Sequence, residues 1–415
     1  MSGTDSGSAA IVRTSRRLDL SRVPRVVTRF LGLAIGAVLL AAACRPLPPP
    51  PPPEPVGQYC AGSVPNSPAA YQAAFDGLRS TYTEWASADE SVPINLPDGR
   101  VVWVFADTSV GHVLSGGVLD PANTLAHNSF VVQTGACFAP LLAGVPHARS
   151  SLIPDPGPNQ WYWPTSGVVD PASNTLRVFI LHELRTGGAA LDFVLLDVQV
   201  ATFSLPGLAL QSIQPLPFPT AAQGYGETSF LNPADGKVYL YGNVSGNSYA
   251  ARAPVGQLTG PAASWEFAVG GPQAPTWSTD PAAATPQQWI NVPPISPIFR
   301  QSGDGPVAKP SVIPYGSGYL ATAKLIDAFS DDVSVFTAAT PAGPWTYVGV
   351  VANTQLAGTI AYGAFTRLTL PGLSGPVIIY NTNVSPFVAN PPPGTISNYG
   401  PHFVSPGPSF PPPPP

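Results

Sequence analysis

Proline and glycine are spread along most of this 415-residue chain, which contains 54 Pro and 40 Gly. Proline lacks the N–H group that a helix interior needs, and glycine favours turns, so long helices are excluded and many short elements are expected. Together with a hydrophobic content of 44%, this pattern predicts an all-β protein. The net charge of −5 offers no basic surface for nucleic acid.

Residues 86–111 contain the clearest pair of strands. Apolar residues alternate over 91–96, residues 97–99 (Pro-Asp-Gly) favour a hairpin turn, and residues 101–105 are apolar throughout. Asp89 precedes the first strand and Asp107 follows the second, so antiparallel pairing should bring both acids to one end of the hairpin. Two neighbouring carboxylates are suited to general acid/base chemistry, and the alternative is that they only satisfy backbone N–H groups in turns.

The same unit of strand, turn and apolar strand recurs along the chain, with turns near residues 98, 174, 235, 317 and 374. Intervals of roughly 70 residues suit blades of a β-propeller better than a short-repeat solenoid. We therefore predict one five-bladed β-propeller over residues 59–405, in which 398–404 provide the closing strand. Two packed β-sandwiches are the competing architecture.

The N-terminal region has the features of an export signal. A basic segment precedes an apolar run at 30–43, which is too short for a comfortable membrane span and typical of a signal peptide. The run ends in Ala-Ala-Ala-Cys and resembles a bacterial lipoprotein signal, so we predict a signal peptide at 1–43 and a lipid on Cys44. A simple secretory signal cut after Ala43 is the alternative.

Two proline-rich segments flank the predicted propeller. Residues 44–58 carry the anchor Cys and a polyproline linker, and residues 406–415 are predicted to be a disordered tail. This organisation predicts an exported monomer, held at the outer face of the membrane by its lipid or else secreted.

The three cysteines support export. If Cys44 carries lipid, Cys60 and Cys137 remain, and an oxidising compartment would join them in a disulfide. Two free buried thiols are the alternative.

Several short motifs, in order, are similar to those of secreted bacterial five-bladed propellers long catalogued as domains of unknown function. They are ADESVPINLPDGRVVWVFADT (88–108), HNSFVVQ (127–133), WYWP (161–164), YLYG (239–242), ARAP (251–254), GPWT (343–346), IIYNTN (378–383) and YGPHFV (399–404). Members of that group resemble furanosidase-type glycoside hydrolases and include endo-D-arabinanases. The resemblance implies an actinobacterial cell-envelope protein that acts on arabinan-type polysaccharide. The alternative is a propeller lipoprotein that binds glycan or protein without catalysis.

The resemblance also indicates which residues would carry the activity. Asp89 and Asp107 match the acids of the first blade. Glu90 stands where a small residue is more common, and Ala106 stands where Gly or Ser is usual. Glu227, which begins the third unit, is a further catalytic candidate, with a rim position as its alternative.

His127, Asn128 and Trp163 are candidates for substrate binding. Asn128 capping a turn and Trp163 packing between blades are the structural alternatives. The five histidines show no ligand spacing, so neither a metal nor a cofactor is expected.

Overall fold

The computed structural model describes residues 57–81, 84–189, 191–244, 246–270, 275–293, 307–325, 329–384 and 399–415. The chain divides into two compact units, 1–48 and 49–415, and all described residues belong to the second. The predicted signal peptide, the predicted lipid site at Cys44 and nearly all of the predicted polyproline linker therefore lie outside the described residues.

Five main antiparallel sheets follow one another along the described chain, which confirms the all-β prediction. Sheet 1 contains Tyr59–Cys60, Val92–Asn95, Val101–Phe105, Ser129–Thr134 and Cys137–Leu141. Sheet 2 contains Gln160–Asp170, Thr175–Arg185, Phe193–Ser204 and Leu210–Pro215. Sheet 3 contains Tyr225–Asn232, Lys237–Val244, Asn247–Pro254, Glu266–Val269 and Thr276–Ser278.

Sheet 4 contains Trp289–Ile290, Val307–Tyr315, Gly318–Leu325, Asp332–Ala338 and Trp345–Asn353, the first of which pairs with the last in parallel. Sheet 5 contains Thr359–Arg367, Val377–Val384 and Gly400–Val404. Shorter strands are Ser87–Ala88, Thr108–Val110, Val113–Leu114, Val118–Leu119, Thr124–Ala126, Ala143–Val145 and Ala148–Ser150. Single 3₁₀ turns occur at Ser115–Gly117, Ala221–Gln223, Val255–Gln257, Ala262–Ser264 and Pro281–Ala283.

The first long strand of each sheet lies at the sheet edge, and we call these five the inner strands. They are Val92–Asn95, Gln160–Asp170, Tyr225–Asn232, Val307–Tyr315 and Thr359–Arg367. Each inner strand contacts the inner strand of the next sheet. Arg367 on the fifth donates from Nε to the Pro93 carbonyl on the first, at 3.2 Å. The inner strands therefore surround a common centre.

Four of the inner strands are interrupted at that centre by a shift in pairing register. The shifts fall between Pro164 and Ser166, Tyr225 and Thr228, Ala308 and Ser311, and Tyr362 and Ala364. A bulge of this kind re-aims the side chains beside it. Glu227, Lys309 and Tyr362 owe their positions to these interruptions.

An α-helix, Pro68–Thr81, lies in the chain between the strands Tyr59–Cys60 and Val92–Asn95 of sheet 1. The Ser67 hydroxyl accepts from the Ala70 N–H at 3.1 Å and caps its first turn. Its buried face places Phe75 against Trp103 and Phe403, with ring centroids 5.1 and 5.5 Å apart. Within the described part of the chain, no helix combines the length and apolar character needed to cross a bilayer.

The predicted disulfide joins Cys60 to Cys137, where the first strand of sheet 1 pairs with the last. It closes a loop of 77 positions and fastens the start of the described chain to sheet 1. A cross-link over so long a loop chiefly restricts the unfolded chain.

We expect the Cys60→Ser, Cys137→Ser double variant to lose about 2–5 kcal/mol of unfolding free energy. Urea denaturation of the oxidised wild type, the reduced wild type and the double variant measures this loss. The reduced wild type should match the double variant, and a variant as stable as the oxidised protein would contradict the prediction.

The proline-rich C-terminal segment is ordered, so the prediction of a disordered tail at 406–415 is wrong. The Gly407 N–H donates to the Val351 carbonyl at 2.6 Å, and Phe410 packs on the core between sheets 4 and 5. The Pro411 and Pro414 carbonyls accept from the Tyr315 hydroxyl and the Ser317 N–H. A proline main chain can accept hydrogen bonds but has no N–H group to donate one, and here Tyr315 and Ser317 of sheet 4 and its turn donate to the proline carbonyls.

Candidate active site

Asp89, Asp107 and His127 lie in one row, each in the link between a strand of sheet 1 and a strand of the small sheet formed by Ser87–Ala88, Thr108–Val110 and Thr124–Ala126. The strand pairs before and after Asp89 and Asp107 share one register, so these two residues lie opposite each other. The strand pairs before and after Asp107 and His127 also share one register, so these two residues are opposite each other as well. The Asp89 N–H donates to the Asp107 carbonyl at 3.1 Å, and the Ala106 N–H donates to the Asp89 carbonyl at 3.0 Å. The expected juxtaposition of the two acids is therefore present, with His127 added in the third link.

Asp89 has a buried and largely anionic environment. Its Oδ2 accepts from the Tyr362 hydroxyl at 2.9 Å, whereas Oδ1 is enclosed and has no hydrogen-bond partner among the described residues. Burial, with the nearby carboxylates of Asp107 and Glu90, raises the pKa of Asp89 well above its usual range. Such a group keeps its proton to a higher pH than an ordinary aspartic acid does.

Asp107 is surrounded by hydrogen-bond donors instead. Its Oδ1 accepts from Trp163 Nε1 at 2.7 Å and lies 3.1 Å from His127 Nδ1. Burial disfavours the imidazolium form of His127, but the hydrogen bond and charge of Asp107, helped by Asp155, raise its pKa overall. The Tyr399 hydroxyl also donates to the Asp107 carbonyl at 2.7 Å. The two ring nitrogens at Oδ1 hold the Asp107 side chain in one orientation, and Tyr399 holds its main chain.

A buried ion triad of Glu90, Lys309 and Glu227 lies beside the acids. Lys309 Nζ forms an ion pair with Glu90 Oε1 and lies 3.3 Å from Glu227 Oε2. The three side chains are only 11–19% exposed. Burial lowers the pKa of Lys309, but the two carboxylates outweigh that effect and raise it. Burial raises the pKa of Glu227, with Lys309 opposing the shift.

The backbone of the triad is strained, since Glu90 and Lys309 adopt left-handed φ values of 54° and 47°. Asn381 on sheet 5 holds the Glu90 segment in place. In the amide orientation that satisfies both of its groups, Asn381 accepts from the Glu90 N–H at 3.1 Å and donates to Ser91 Oγ at 2.9 Å. Sheets 1, 3, 4 and 5 thus all contribute to this centre.

Glu183 is a further buried acid close to the triad. It is 3% exposed, and its Oε2 has no hydrogen-bond partner in the described part of the chain. Burial, with the nearby charge of Glu227, raises the pKa of Glu183 to about 7. The folded protein therefore binds a proton here that the unfolded chain releases near pH 4.5.

This proton should make stability fall as the pH rises from about 4.5 to about 7, by up to about 3 kcal/mol. We expect Glu183→Gln to remove most of that decline in urea denaturation measured at several pH values. Glu266→Gln is the matched control. Its lowered pKa, which Lys237 and Arg252 maintain against burial, contributes stability that is lost as the pH falls. A decline that persists unchanged in Glu183→Gln would contradict the prediction.

Among the predicted binding residues, the structure places two at the acids and one in the interior. His127 and Trp163 are both half-buried and both contact Asp107. Asn128 is fully buried, and its amide bonds to the main chain of Ile153 and Tyr162. Its predicted role in substrate binding is therefore wrong, because no part of the side chain reaches solvent.

Sequence reasoning missed Tyr362, Tyr399, Lys309 and Glu183. Each comes from a strand far from residue 89 in the chain, and none stands in a motif that indicates its contact. Tyr362-Gly363, at an inner-strand bulge, and the polar Lys309 within an apolar strand were the available signals.

No group of three or more His, Cys, Asp or Glu side chains suited to a metal ion occurs among the residues that the structure covers. A cavity of about 830 Å³ is lined by the start of the helix and by residues 402–405, and none of the acids above contributes to it. Its Asp76 forms an ion pair with Arg79, and His402 contacts Thr382. The candidate active site is therefore the group of acids around the centre and not this cavity.

Several solved structures are similar to this chain, and the first described here shares its fold. A presumed hydrolase from Bacteroides ovatus has a TM-score of 0.62 at 21% identity, over 80% of this chain and 88% of its own. A GH43_1 enzyme from Xanthomonas citri complexed with xylotriose has a TM-score of 0.43 at 14% identity, over 81% of this chain and 93% of its own. A GH43 β-xylosidase/α-arabinofuranosidase from a compost metagenome has a TM-score of 0.42 at 12% identity, over 73% and 87%.

No curated protein matches the chain. A family model described as a domain of unknown function, DUF5005, matches residues 72–405. Apart from the strand Tyr59–Cys60, this range includes all five sheets, the row of Asp89, Asp107 and His127, and the ion triad. The chain therefore belongs to the DUF5005 family.

Proposed function

We propose that this protein is an exported glycoside hydrolase that cleaves arabinan-type polysaccharide of the cell envelope. The observation that carries the proposal is the contrast between two adjacent carboxylates. Asp89 has a raised pKa in a buried, anionic environment, whereas Asp107 receives hydrogen bonds from Trp163 and His127. Environments that separate two carboxyl groups in this way distinguish a proton donor from a charged partner.

In this proposal Asp89 is the general acid and Asp107 the nucleophile. Protonated Asp89 gives its proton to the glycosidic oxygen as that oxygen leaves the anomeric carbon. The Asp107 carboxylate attacks the same carbon and forms a glycosyl ester. Asp89, now ionised, then takes a proton from water, and the resulting oxygen displaces Asp107 and releases the sugar.

The spacing of the two residues favours retention of configuration at the anomeric carbon. Cβ atoms of neighbouring cross-strand residues are about 4.5–5.5 Å apart. Retaining enzymes hold their carboxyl groups about 5–5.5 Å apart, whereas inverting enzymes leave about 6.5–9.5 Å for a water molecule. We assign Glu227 to the ion triad, where its ion pair with Lys309 maintains the centre.

The finer architecture belongs to the same proposal. Contacts between successive inner strands, and the Arg367 bond back to sheet 1, support a five-bladed β-propeller. The basic and apolar N-terminal sequence supports export, and the Cys that follows Ala41–Ala43 supports a lipid anchor at Cys44. The Cys60–Cys137 disulfide is in keeping with an oxidising compartment.

Incubation of the purified protein with arabinan, arabinogalactan, galactan and xylan, followed by chromatography of released oligosaccharides, tests the proposal. We expect oligosaccharides from arabinan, with the anomeric configuration retained in the first product seen by NMR. Retention of these glycans without products would favour the non-catalytic binding propeller. Products from xylan but not from arabinan would contradict the assigned substrate.

A further inference from the structure

An aromatic cluster lies directly beside the carboxylate pair on sheet 2. Trp161, 2% exposed, lies between the His127 ring, 5.1 Å away, and the Arg185 guanidinium, 5.2 Å away. Trp163 and Phe193 meet edge to face at 4.9 Å, and Trp163 also bonds to Asp107. We call Trp161, Trp163, Arg185 and Phe193 the aromatic wall.

A hairpin of sheet 2 carries Arg185 and Phe193, which end the strand Thr175–Arg185 and begin the strand Phe193–Ser204. Arg185 and Phe193 are cross-strand partners at the end of sheet 2 where Trp163 contacts Asp107, so this end of the hairpin lies beside the acids.

The two faces of this hairpin differ. Side chains alternate along a strand, so Phe193 and Val194 point to opposite faces. Phe193 pairs across the sheet with Arg185 and packs against both tryptophans, whereas Val194 is 46% exposed on the other face. The aromatic wall therefore occupies only the face that continues from the carboxylate pair.

The wall also contains an unused hydrogen-bond donor. Trp161 Nε1 is buried and has no partner among the residues that the structure describes. A buried donor without an acceptor costs free energy, so packing of Trp161 against His127, Arg185 and Phe193 holds the ring there without a hydrogen bond. Half-buried aromatic faces with a few polar groups are typical of small-ligand and sugar sites.

The charges around the wall restrict the ligand further. Asp107, Asp155 and Glu183 lie close to it, and Arg185 and His127 are the nearby basic groups. Because Asp107 and Asp155 offset the charges of Arg185 and His127, the wall has no net positive charge to attract an acidic sugar, whereas an uncharged sugar presents C–H faces to the rings and hydroxyls to the polar atoms.

We propose that the aromatic wall is a binding subsite for an uncharged glycan chain, which continues over Phe193 from the bond held at Asp89 and Asp107. The inference rests on the proposed function, to which it adds the direction of the chain and the class of sugar. Short ligands would occupy only the acids, and longer ones would also reach the wall.

Isothermal titration calorimetry tests this subsite in an Asp89→Asn background, which keeps the ligand intact. Arabinobiose and arabinohexaose are the probes, and a hexamer of galacturonic acid is the charge control. We expect Phe193→Ala to weaken hexaose binding about tenfold, or about 1.4 kcal/mol. Biose binding should change by less than about twofold, and the acidic hexamer should not bind.

Val194→Ala is the matched control, since it removes an apolar side chain from the next position on the opposite face. It should leave both affinities unchanged, and thermal unfolding should show that both variants fold. Equal hexaose affinity in the two variants would overturn the subsite while leaving the proposed function intact. Absence of any oligosaccharide binding in the Asp89→Asn protein would overturn both, and tight binding of the acidic hexamer would overturn the assigned sugar class.

Discussion

Asp89→Asn should reduce the hydrolysis of arabinan by about 10²–10⁴-fold, which is the contribution typical of a positioned general acid. Asparagine keeps the shape of the side chain and can still contact the Tyr362 hydroxyl, but it has no proton to give to the leaving oxygen. The loss should therefore depend on the leaving group. An aryl arabinoside that leaves without protonation should form its glycosyl ester almost as fast as in the wild type.

The pH dependence gives an independent reading of the same role. The acid form of Asp89 is required, so wild-type activity should fall as the pH rises through its raised pKa. The activity of Asp89→Asn should not show this decrease with rising pH. Asp98→Asn is the control, because Asp98 lies in the turn at the other end of the hairpin and binds Arg100. If the burst of aryl release, which precedes the step that needs Asp89 as a base, fell as much as arabinan hydrolysis, the general-acid role would be contradicted.

Lys309→Met should destabilise the protein by about 3–5 kcal/mol, because it leaves Glu90 and Glu227 buried without their cation. Methionine retains most of the side-chain length and the same backbone strain at a φ of 47°, so the charge is the main change. Urea denaturation at pH 8 measures the loss.

The loss should be smaller at pH 5 than at pH 8. Burial already raises the pKa of Glu227, and removing the Lys309 charge raises it further, so protonation at lower pH relieves the unpaired carboxylate. Lys237→Met is the matched control. Its ion pair with Glu266 is more exposed and leaves Arg252 in contact, so a loss within about 1 kcal/mol is expected. Similar losses of unfolding free energy in Lys309→Met and Lys237→Met would contradict the claim that the triad stabilises the fold.

The part of the site that sequence could predict depends on short-range pairing. Proline and glycine at 97–99 determine one hairpin, and that hairpin is enough to place Asp89 beside Asp107. His127 joins the row through a third strand that follows a long excursion from Asp107, and no turn signal determines its register. Its contact with Asp107 therefore could not be derived from the sequence.

Contacts across the centre were beyond sequence reasoning for a different reason. Tyr362 and Lys309 reach Asp89 and Glu90 across 273 and 219 positions of chain, through the meeting of the five inner strands. The sequence marks these bulges only by a glycine after Tyr362 and by a lysine within an apolar strand, and neither signal indicates which residue the side chain contacts. Asn128 shows the converse problem, since a polar residue at a strand end looks the same whether it faces substrate or the interior.

The most direct test is the rate of reducing-end release from arabinan by the wild type, Asp89→Asn, Asp107→Asn and Asp98→Asn, each shown to be folded by thermal unfolding. The account predicts release by the wild type and by Asp98→Asn at similar rates, with a loss of about 10²-fold or more in each of the other two variants. Release by Asp107→Asn at the wild-type rate would contradict it, because no hydrolysis through this carboxylate pair can proceed without its nucleophile.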